Sequence, residues 1–230
     1  SSKHDLIKWI NSFDYVICGS DQIWNPQFQP NTLFYLDSQA IRNCTKFSYA
    51  ASVAVEELND KQAFYFSEKL NSFDCISVRE KTGKKLLEGI LNKPVRVDVD
   101  PVLLESVDFW KNIKSDKFSN KDYILLYMLR PMPELVEFTK HIAIKKNLKV
   151  LYIGDSYLKD SDIISCHDAG VEDFLSAIYY AKYVITNSFH ATVFSTLFCK
   201  RFCSYAVSRI GRRVDDYLVD VGLENIKYQI

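Results

Sequence analysis

The residues with the clearest chemical potential follow an apolar run at 183–186 and lead directly into a segment with helical apolar spacing. Asn187 and Ser188 occupy the turn, and His190 falls in the first turn of the predicted helix. The first backbone N–H groups of a helix and its dipole favour phosphate or carboxylate. A histidine beside them can donate or accept a proton near neutral pH. The sequence therefore predicts an anion site with a proton-transfer group. The alternative is structural: Asn187 and Ser188 only cap the helix, and His190 is an interior histidine.

A second polar segment follows the apolar run at 15–18. Gly19 lets the backbone turn sharply or approach a ligand closely, and Asp21 then places a carboxylate at the end of a strand. Such a carboxylate can orient or deprotonate a sugar hydroxyl. We expect Ser20 and Gln22 to contact the substrate and Trp24 to offer a stacking surface for a sugar ring. The alternative is an Asx-type turn followed by a buried tryptophan.

Arg79 lies where the apolar run 75–78 gives way to a helical pattern. A guanidinium fork can hold a phosphate or carboxylate through two parallel hydrogen bonds. The alternative is a salt bridge to Glu80 or another acid. Asp98 and Asp100 share one face of a further strand by period-two alternation. Because Asp-Pro at a strand end is usually a turn, we favour a structural role for this pair.

Other arginines occupy predicted turns. Arg130 follows the strand 123–128, so it is expected to contact substrate at the same edge as His190. Arg209, Arg212 and Arg213 follow a later strand. Arg212 and Arg213 open the last predicted helix, where cations oppose the dipole, so a ligand or an acidic partner would explain them.

The composition is that of a globular protein of 230 residues, 47% of them apolar, with 29 basic and 29 acidic side chains. This balance gives no sign of nucleic acid or an anionic membrane surface as a partner. Six cysteines without a CxxC pair indicate reduced thiols in the cytosol, with neither disulfide nor metal site. No apolar run approaches the roughly 20 residues of a membrane span, and no signal peptide is evident. We expect a cytoplasmic protein, and a position at the inner face of the membrane stays open.

Short apolar strands alternate with amphipathic helices, which predicts an α/β fold with parallel sheet. The predicted strands are 15–18, 46–50, 75–78, 95–99, 123–128, 150–153, 183–186 and 202–205. The predicted helices include 57–70, 81–91, 134–146, 172–181 and 191–199. The lysine-rich passage 111–121 is the expected connection between two domains, 1–118 and 119–230. Each domain has a Tyr-Val-Ile strand that ends in a polar turn, as two Rossmann-like halves would.

Five segments, taken in order, resemble the polysaccharide pyruvyl transferase family: YVICGSDQIWNP at 15–26, FSYAAS at 47–52, ISVREK at 76–81, DPVLL at 100–104 and TNSFHATVFS at 186–195. The resemblance implies two Rossmann-like domains in the architecture of B-type glycosyltransferases. It also implies transfer of pyruvate from phosphoenolpyruvate to a sugar as a ketal, in the biosynthesis of capsular or other cell-surface polysaccharide. Phosphoenolpyruvate would be a co-substrate, with no further cofactor. The acceptor would be a saccharide or a lipid- or nucleotide-linked sugar, bound by the N-terminal domain, with phosphoenolpyruvate on the C-terminal one.

The resemblance also implies roles for single residues. His190 matches the motif histidine, as general acid or phosphate partner, and Arg79 matches the arginine that holds phosphoenolpyruvate. Other members carry Arg-Leu-His where this chain has Ser188-Phe189-His190, so Arg130 or a later arginine would replace the missing cation, or the donor would be held more loosely. The chain also begins later than family members usually do, which predicts a truncated chain or a partly missing acceptor site. A nucleotide-sugar glycosyltransferase and a non-catalytic saccharide-binding protein on the same fold stay open as alternatives.

Overall fold

A computed structural model describes residues 3–28, 32–36, 41, 44–154, 158, 160–205 and 212–228. The chain forms two compact units. The first consists of Ser1–Leu104 with Ser208–Tyr217, and the second of Glu105–Val207 with Leu218–Ile230. The chain therefore leaves the first unit, builds most of the second, and returns to the first before it ends in the second.

The first unit alternates helices with short strands, in the order α1 (Lys3–Ile10), β1 (Tyr15–Gly19), β2 (Thr45–Tyr49), α2 (Asp60–Leu70), β3 (Ile76–Val78), α3 (Lys81–Glu88) and β4 (Val95–Val97). Strands β1 and β2 pair in parallel, as do β3 and β4. Isolated parallel bridges, Phe47 to Cys75 and Ala51 to Val78, link β2 to β3. All four strands thus run in one direction, and their carboxyl ends lie along one edge.

The second unit is built on one parallel sheet. Its elements are α4 (Val107–Ile113), β5 (Tyr123–Met128), α5 (Pro133–Lys146), β6 (Lys149–Gly154), β7 (Ile163–Cys166), α6 (Val171–Tyr180), β8 (Tyr183–Thr186), α7 (Phe189–Leu197), β9 (Phe202–Tyr205), α8 (Arg212–Asp220) and β10 (Lys227–Tyr228). Helix α8 begins in the first unit and ends in the second. The six strands lie in the order β10-β9-β8-β5-β6-β7. If β5 is counted as the first strand, this is the strand order of a Rossmann fold. From β5 the chain adds strands on one side of the sheet and then, from β8, on the other side. We call the place between β5 and β8 the reversal point.

Each unit has its own apolar core. The largest fully buried side chains of the first unit include Trp24, Phe66, Phe73 and Ile76. Those of the second include Ile124, Leu126, Leu135 and Tyr152. Strands 123–128 and 183–186 are almost continuously apolar, because nearly all of their residues are buried, whichever face of the sheet they point to.

Polar caps fix the ends of helices in the first unit. Asn59 and Gln62 form a capping box at the start of α2, with both hydrogen bonds 3.0 Å long. Helix α3 is capped differently, because the side chain of its N-cap residue, Glu80, makes no hydrogen bond to the start of the helix. Instead, Asp216 accepts hydrogen bonds from the backbone N–H and the hydroxyl of Thr82, each at 3.0 Å. The carboxylate that caps α3 thus comes from the returning segment of chain.

The passage 111–121, predicted as the connection between domains, belongs to the second unit. Its first residues end helix α4, and its polar side chains bind helix α6. Lys114 donates to the Tyr180 hydroxyl at 2.8 Å, and Lys117 pairs with Asp173 at 2.8 Å. The composition resembled that of a solvated linker, but these contacts make it a packed segment. The chain instead changes unit after Leu104. In the described part of the chain, no helix is both long enough and apolar enough to cross a bilayer.

Candidate functional site

The carboxyl edge of the second unit's sheet brings Asn187 next to the end of β5. The Asn187 side chain accepts a hydrogen bond from the backbone N–H of Leu129 at 2.9 Å and donates one to the carbonyl oxygen of Arg130 at 3.0 Å. It therefore ties the turn after β8 to the turn after β5. In open parallel sheets, the crevice outside this reversal point is where ligands bind. The side-chain amide of Asn187 thus bonds to the protein backbone and holds the two turns in position.

Ser188 is the N-cap of α7. Its hydroxyl accepts a hydrogen bond from the backbone N–H of Ala191 at 3.4 Å, and the residue is only 2% exposed. The backbone N–H of Ser188 donates to the Thr186 hydroxyl at 2.9 Å. The structural alternative is therefore correct for this side chain, because the hydroxyl is buried and caps the helix. Contact of Ser188 with substrate stays a prediction.

His190 lies in the first turn of α7 and is half-buried. Its ring packs edge-on against Phe189, with 5.5 Å between the ring centres. The dipole of this helix places partial positive charge beside the imidazole. His190 thus lies in the first turn of the helix, as the sequence predicts, and the strand order adds that this turn is at the reversal point of the sheet. An anion site there stays a prediction.

Arg130 lies at the same edge and is exposed. Because Asn187 holds its carbonyl oxygen, the arginine backbone is fixed while the guanidinium extends from the turn. Arg209 and the side chain of Arg212 lie outside the described residues. Among the described arginines named as substitutes for the family cation, Arg130 is the one that shares an edge with His190.

In the first unit, the turn after β1 has a tightly determined backbone. Gly19 has φ +136°, and a Cβ there would clash with the carbonyl oxygen of Tyr49. Asp21 has φ +61°, a left-handed conformation that non-glycine residues seldom adopt. The carbonyl oxygen of Asp21 accepts from the backbone N–H of Ser52 at 2.8 Å, and the Ser20 hydroxyl donates to the carbonyl of Ala50 at 3.2 Å. The Asp21 side chain, 66% exposed, is thereby presented to solvent from a fixed backbone.

Arg79 lies beneath this turn, with a side chain only 3% exposed. Its Nη1 atom is 2.5 Å from Asp100 Oδ2 and 3.4 Å from the Ser20 hydroxyl, and its Nη2 atom is 3.7 Å from Asp21 Oδ1. The salt-bridge alternative is therefore correct, with Asp100 as the acid. A direct grip on a ligand by Arg79, as the resemblance implies, would require displacing Asp100. Asp100 also accepts from the backbone N–H of Val102 at 3.0 Å, which confirms its turn role.

Glu80 organises the loop that follows β2. It is 2% exposed, and its Oε1 atom accepts from the hydroxyl of Ser52 at 3.1 Å and from the backbone N–H groups of Val53 and Ala54 at 2.8 and 3.0 Å. Burial raises the pKa of this carboxyl group above its ordinary value, although these hydrogen bonds and the charge of Arg79 oppose the shift. The sequence suggested Glu80 only as an ion-pair partner, because the burial of a Glu at a strand end is not visible in its spacing.

Two further predictions for the first unit concern Trp24 and Gln22. Trp24 is 0% exposed, stacks on Tyr35 and meets Phe73 edge-on, so the predicted sugar platform is wrong. The alternative of a buried tryptophan is correct, and its indole N–H donates to a backbone carbonyl at 3.0 Å.

Gln22 faces the buried guanidinium of Arg213. With its amide oxygen turned to that group, it accepts from Nη2 at 2.9 Å and Nη1 at 2.5 Å.

The six cysteines are all free thiols. Across the described residues, no cluster of three or more His, Cys, Asp or Glu side chains could hold a metal ion.

Solved structures with the same fold include UDP-GlcNAc 2-epimerases. The UDP-GlcNAc 2-epimerase of Methanocaldococcus jannaschii, in complex with UDP-GlcNAc and UDP, has a TM-score of 0.59 at 13% identity, over 96% of this chain and 72% of that chain. A complex of S. aureus MnaA with UDP has a TM-score of 0.59 at 14% identity, over 100% of this chain and 66% of that chain. Identities this low show the fold alone. They confirm an α/β protein with Rossmann-like domains of the B-type glycosyltransferase kind.

The family model for polysaccharide pyruvyl transferase matches residues 1–209. The chain therefore belongs to the polysaccharide pyruvyl transferase family, and the resemblance read from the five segments is confirmed. Membership makes it a transferase of polysaccharide biosynthesis with a saccharide acceptor. No curated protein sequence matches it.

Proposed function

We propose that this protein transfers the pyruvyl group of phosphoenolpyruvate to two hydroxyl groups of a saccharide, forming a ketal and releasing phosphate. The methylene carbon gains a proton to become a methyl group, two sugar oxygens bond to the adjacent carbon, and the C–O bond to phosphate breaks. The two sugar hydroxyl groups lose two protons. One balances the proton added to the methylene carbon, and the other leaves on the phosphate. The reaction requires an acid, a base and a site for an anionic donor.

The arrangement around His190 is the observation that carries this proposal. A histidine in the first turn of a helix, at the reversal point of a parallel sheet, combines a proton-transfer group with a positive dipole end. We assign His190 as the general acid or phosphate partner, and Arg130 as the cation that neutralises the donor in place of the arginine that other members carry. Asn187 holds both turns in register.

We assign acceptor contact to Asp21 in the first unit. Its exposed carboxylate extends from a backbone that Ser52 and Gly19 fix, so it can orient or deprotonate a hydroxyl without reorganising. Arg79, bound to Asp100, would act by positioning Ser20 and Asp21. Residues 15–26 and 76–104 would then serve the saccharide, and the second unit the donor.

Phosphate release and the new ketal methyl group, detected by NMR, test the proposal with phosphoenolpyruvate and a panel of saccharides. Replacing a general acid lowers the rate by about 10²- to 10⁴-fold, so His190→Gln should lower kcat by at least about a hundredfold. His141→Gln, an exposed histidine on α5, is the matched control and should retain activity. Activity of His190→Gln equal to that of the control would refute the assignment.

Donor binding is tested separately by thermal shift, which needs no acceptor. Phosphoenolpyruvate should raise Tm, and Arg130→Gln should weaken that shift while the Tm of the free protein stays unchanged. Stabilisation by UDP without any by phosphoenolpyruvate would favour a nucleotide-sugar enzyme. A saccharide that binds without donor affinity would favour a non-catalytic binding protein.

A further inference from the structure

The edge of the second unit opposite His190 carries an unusual concentration of cations. It is formed by the amino ends of the strands, and it contains two adjoining depressions that share Leu148. We call the first the basic pocket; its volume is about 430 Å³ and its charged lining residues are Lys146, Lys182, Lys200 and Arg201. The second, the apolar groove, has a volume of about 560 Å³ and is lined by Ile144 and Ile164 among others.

Contacts within the protein account for only some of the positive charges in the basic pocket. Lys200 donates to the carbonyl oxygen of Tyr179 at 2.7 Å near the end of α6, which is a usual function of lysine at a helix C-terminus. Lys182 forms an exposed ion pair with Asp122 at 3.0 Å, a type of contact worth little. The described residues of the lining include no carboxylate. Burial, followed by the charge of Lys182, lowers the pKa of Lys200, as expected where cations crowd together.

Lys146 and Arg201 make weaker contacts within the pocket. The Lys146 ammonium lies 5.9 Å from the centre of the Tyr183 ring, and Arg201 Nη1 is 3.5 Å from the hydroxyl of the same tyrosine. Both cationic residues are exposed. Their charges are therefore available to an external anion.

The apolar groove adds aliphatic surface beside these charges. Ile144 is 81% exposed at the end of α5, and Ile164 is 51% exposed on β7. Single exposed aliphatic residues are common on protein surfaces. Here two of them line one groove, which also includes Lys140 and Lys149, with Asp162 as its acid. Of the six cations among the described lining residues, Lys140 pairs with Asp160 at 2.9 Å and Lys182 with Asp122 at 3.0 Å. The other four are Lys146, Lys149, Lys200 and Arg201, and the described lining residues include one carboxylate, that of Asp162.

We propose that this edge of the second unit docks on an anionic lipid bilayer, with the cations against the headgroups and Ile144 and Ile164 at the acyl boundary. Basic residues are attracted to anionic lipids, and aliphatic side chains gain by leaving water at the interface. A nucleic acid would use the cations and leave the isoleucines exposed. The equal totals of acidic and basic residues in the whole chain do not show how the charges are distributed over its surface.

Vesicle co-sedimentation of the 230-residue chain tests the proposal. The chain should bind phosphatidylcholine vesicles containing about 30 mol % phosphatidylglycerol, and bind pure phosphatidylcholine far less, because each basic residue near an anionic surface contributes about fivefold in partitioning. The double variant Lys146→Gln with Arg201→Gln should therefore partition about 25-fold more weakly. Ile144→Ser should weaken partitioning about tenfold at unchanged charge, because it removes apolar surface.

The matched control is Lys61→Gln with Lys85→Gln, which removes the same charge from exposed helix positions of the first unit. It should bind almost as well as the unaltered chain. If both double variants lost vesicle binding equally, binding would depend on net charge alone, and the proposal would be overturned. Absence of vesicle binding, or binding to polyglutamate alone, would also overturn it, the latter in favour of an acidic protein partner. Unchanged Tm values establish that the variants fold, and transferase activity on a water-soluble acceptor is measured independently.

Discussion

Replacing Glu80 with alanine tests whether a buried carboxylate holds the loop beside Asp21. Glu80 Oε1 is the acceptor for two backbone N–H groups, those of Val53 and Ala54, and for the Ser52 hydroxyl. Ala54 has φ +56°, a conformation that persists only when surrounding contacts determine it. Ser52 in turn donates its backbone N–H to the carbonyl oxygen of Asp21. Loss of the carboxylate should therefore loosen the loop and the turn it supports.

The expected cost is the difference between two opposing effects. Two buried N–H groups left without an acceptor cost about 1–3 kcal/mol each. Removing a carboxylate that is unfavourably desolvated offsets part of this loss. We expect Glu80→Ala to lower the free energy of unfolding by about 2–4 kcal/mol. Glu80→Gln keeps an acceptor oxygen for all three donors, so its cost should be smaller.

The pH dependence of the Glu80 effect has a definite sign. Burial raises the pKa of the folded-state carboxyl above that of the unfolded chain. The stability that this group contributes is therefore complete below its unfolded pKa, and it is lost as pH rises through the folded pKa. Because Glu80→Gln does not titrate there, the unaltered protein should lose stability relative to this variant as pH rises above about 4.5.

Urea denaturation of both variants measures the cost, and hydrogen exchange of the 53–54 amides reports on the loop itself. Exchange at these amides should accelerate strongly in Glu80→Ala and slightly in Glu80→Gln. The reasoning is refuted if Glu80→Ala unfolds within about 1 kcal/mol of the unaltered protein with normal amide protection, since that is below the cost of one lost acceptor. It is also refuted if glutamine is as harmful as alanine.

Three further predictions follow from buried groups. Trp24→Ala should cost about 3–5 kcal/mol of stability by urea denaturation, whereas Trp24→Phe should leave saccharide affinity unchanged; a drop in affinity would restore the sugar platform. Burial raises the pKa of Cys18 to about 12, so at mildly alkaline pH a thiol reagent should modify exposed Cys199 and spare Cys18, as mass mapping would reveal. Thr192→Val should cost about 1–3 kcal/mol because the Ser204 hydroxyl, 2.7 Å away, loses its buried partner, while Thr192→Ser should be nearly neutral in a thermal melt.

Local sequence determined most of the elements. Strands 123–128, 183–186 and 202–205 have the predicted bounds, because β-branched or aromatic runs bounded by polar residues leave little ambiguity. Strand β7 was missed, since its four residues are too few to establish a period. Helices α1 and α4 were missed for a similar reason, with eight and seven residues. The strand order, and hence the reversal point, depends on long-range pairing that no local pattern contains.

The candidate site was predictable where function depends on position along a strand–turn–helix segment. His190 and Asp21 occupy the expected turns. The sequence does not show which way a side chain faces: Trp24 turns into the core, and Ser188 turns into the helix start. For Arg79 the sequence leaves the acidic partner open, because Asp100 is separated from it by a whole helix and strand.

The return of the chain to the first unit has a consequence for dissecting the protein. Neither unit is encoded by one continuous stretch of gene, because residues 208–217 belong with residues 1–104. A fragment that stops at residue 104 would lack Asp216, and with it the carboxylate that caps Thr82 at the start of α3. Expressing the halves separately would therefore damage the first unit. A faithful excision would have to splice the returning segment back on through a new linker.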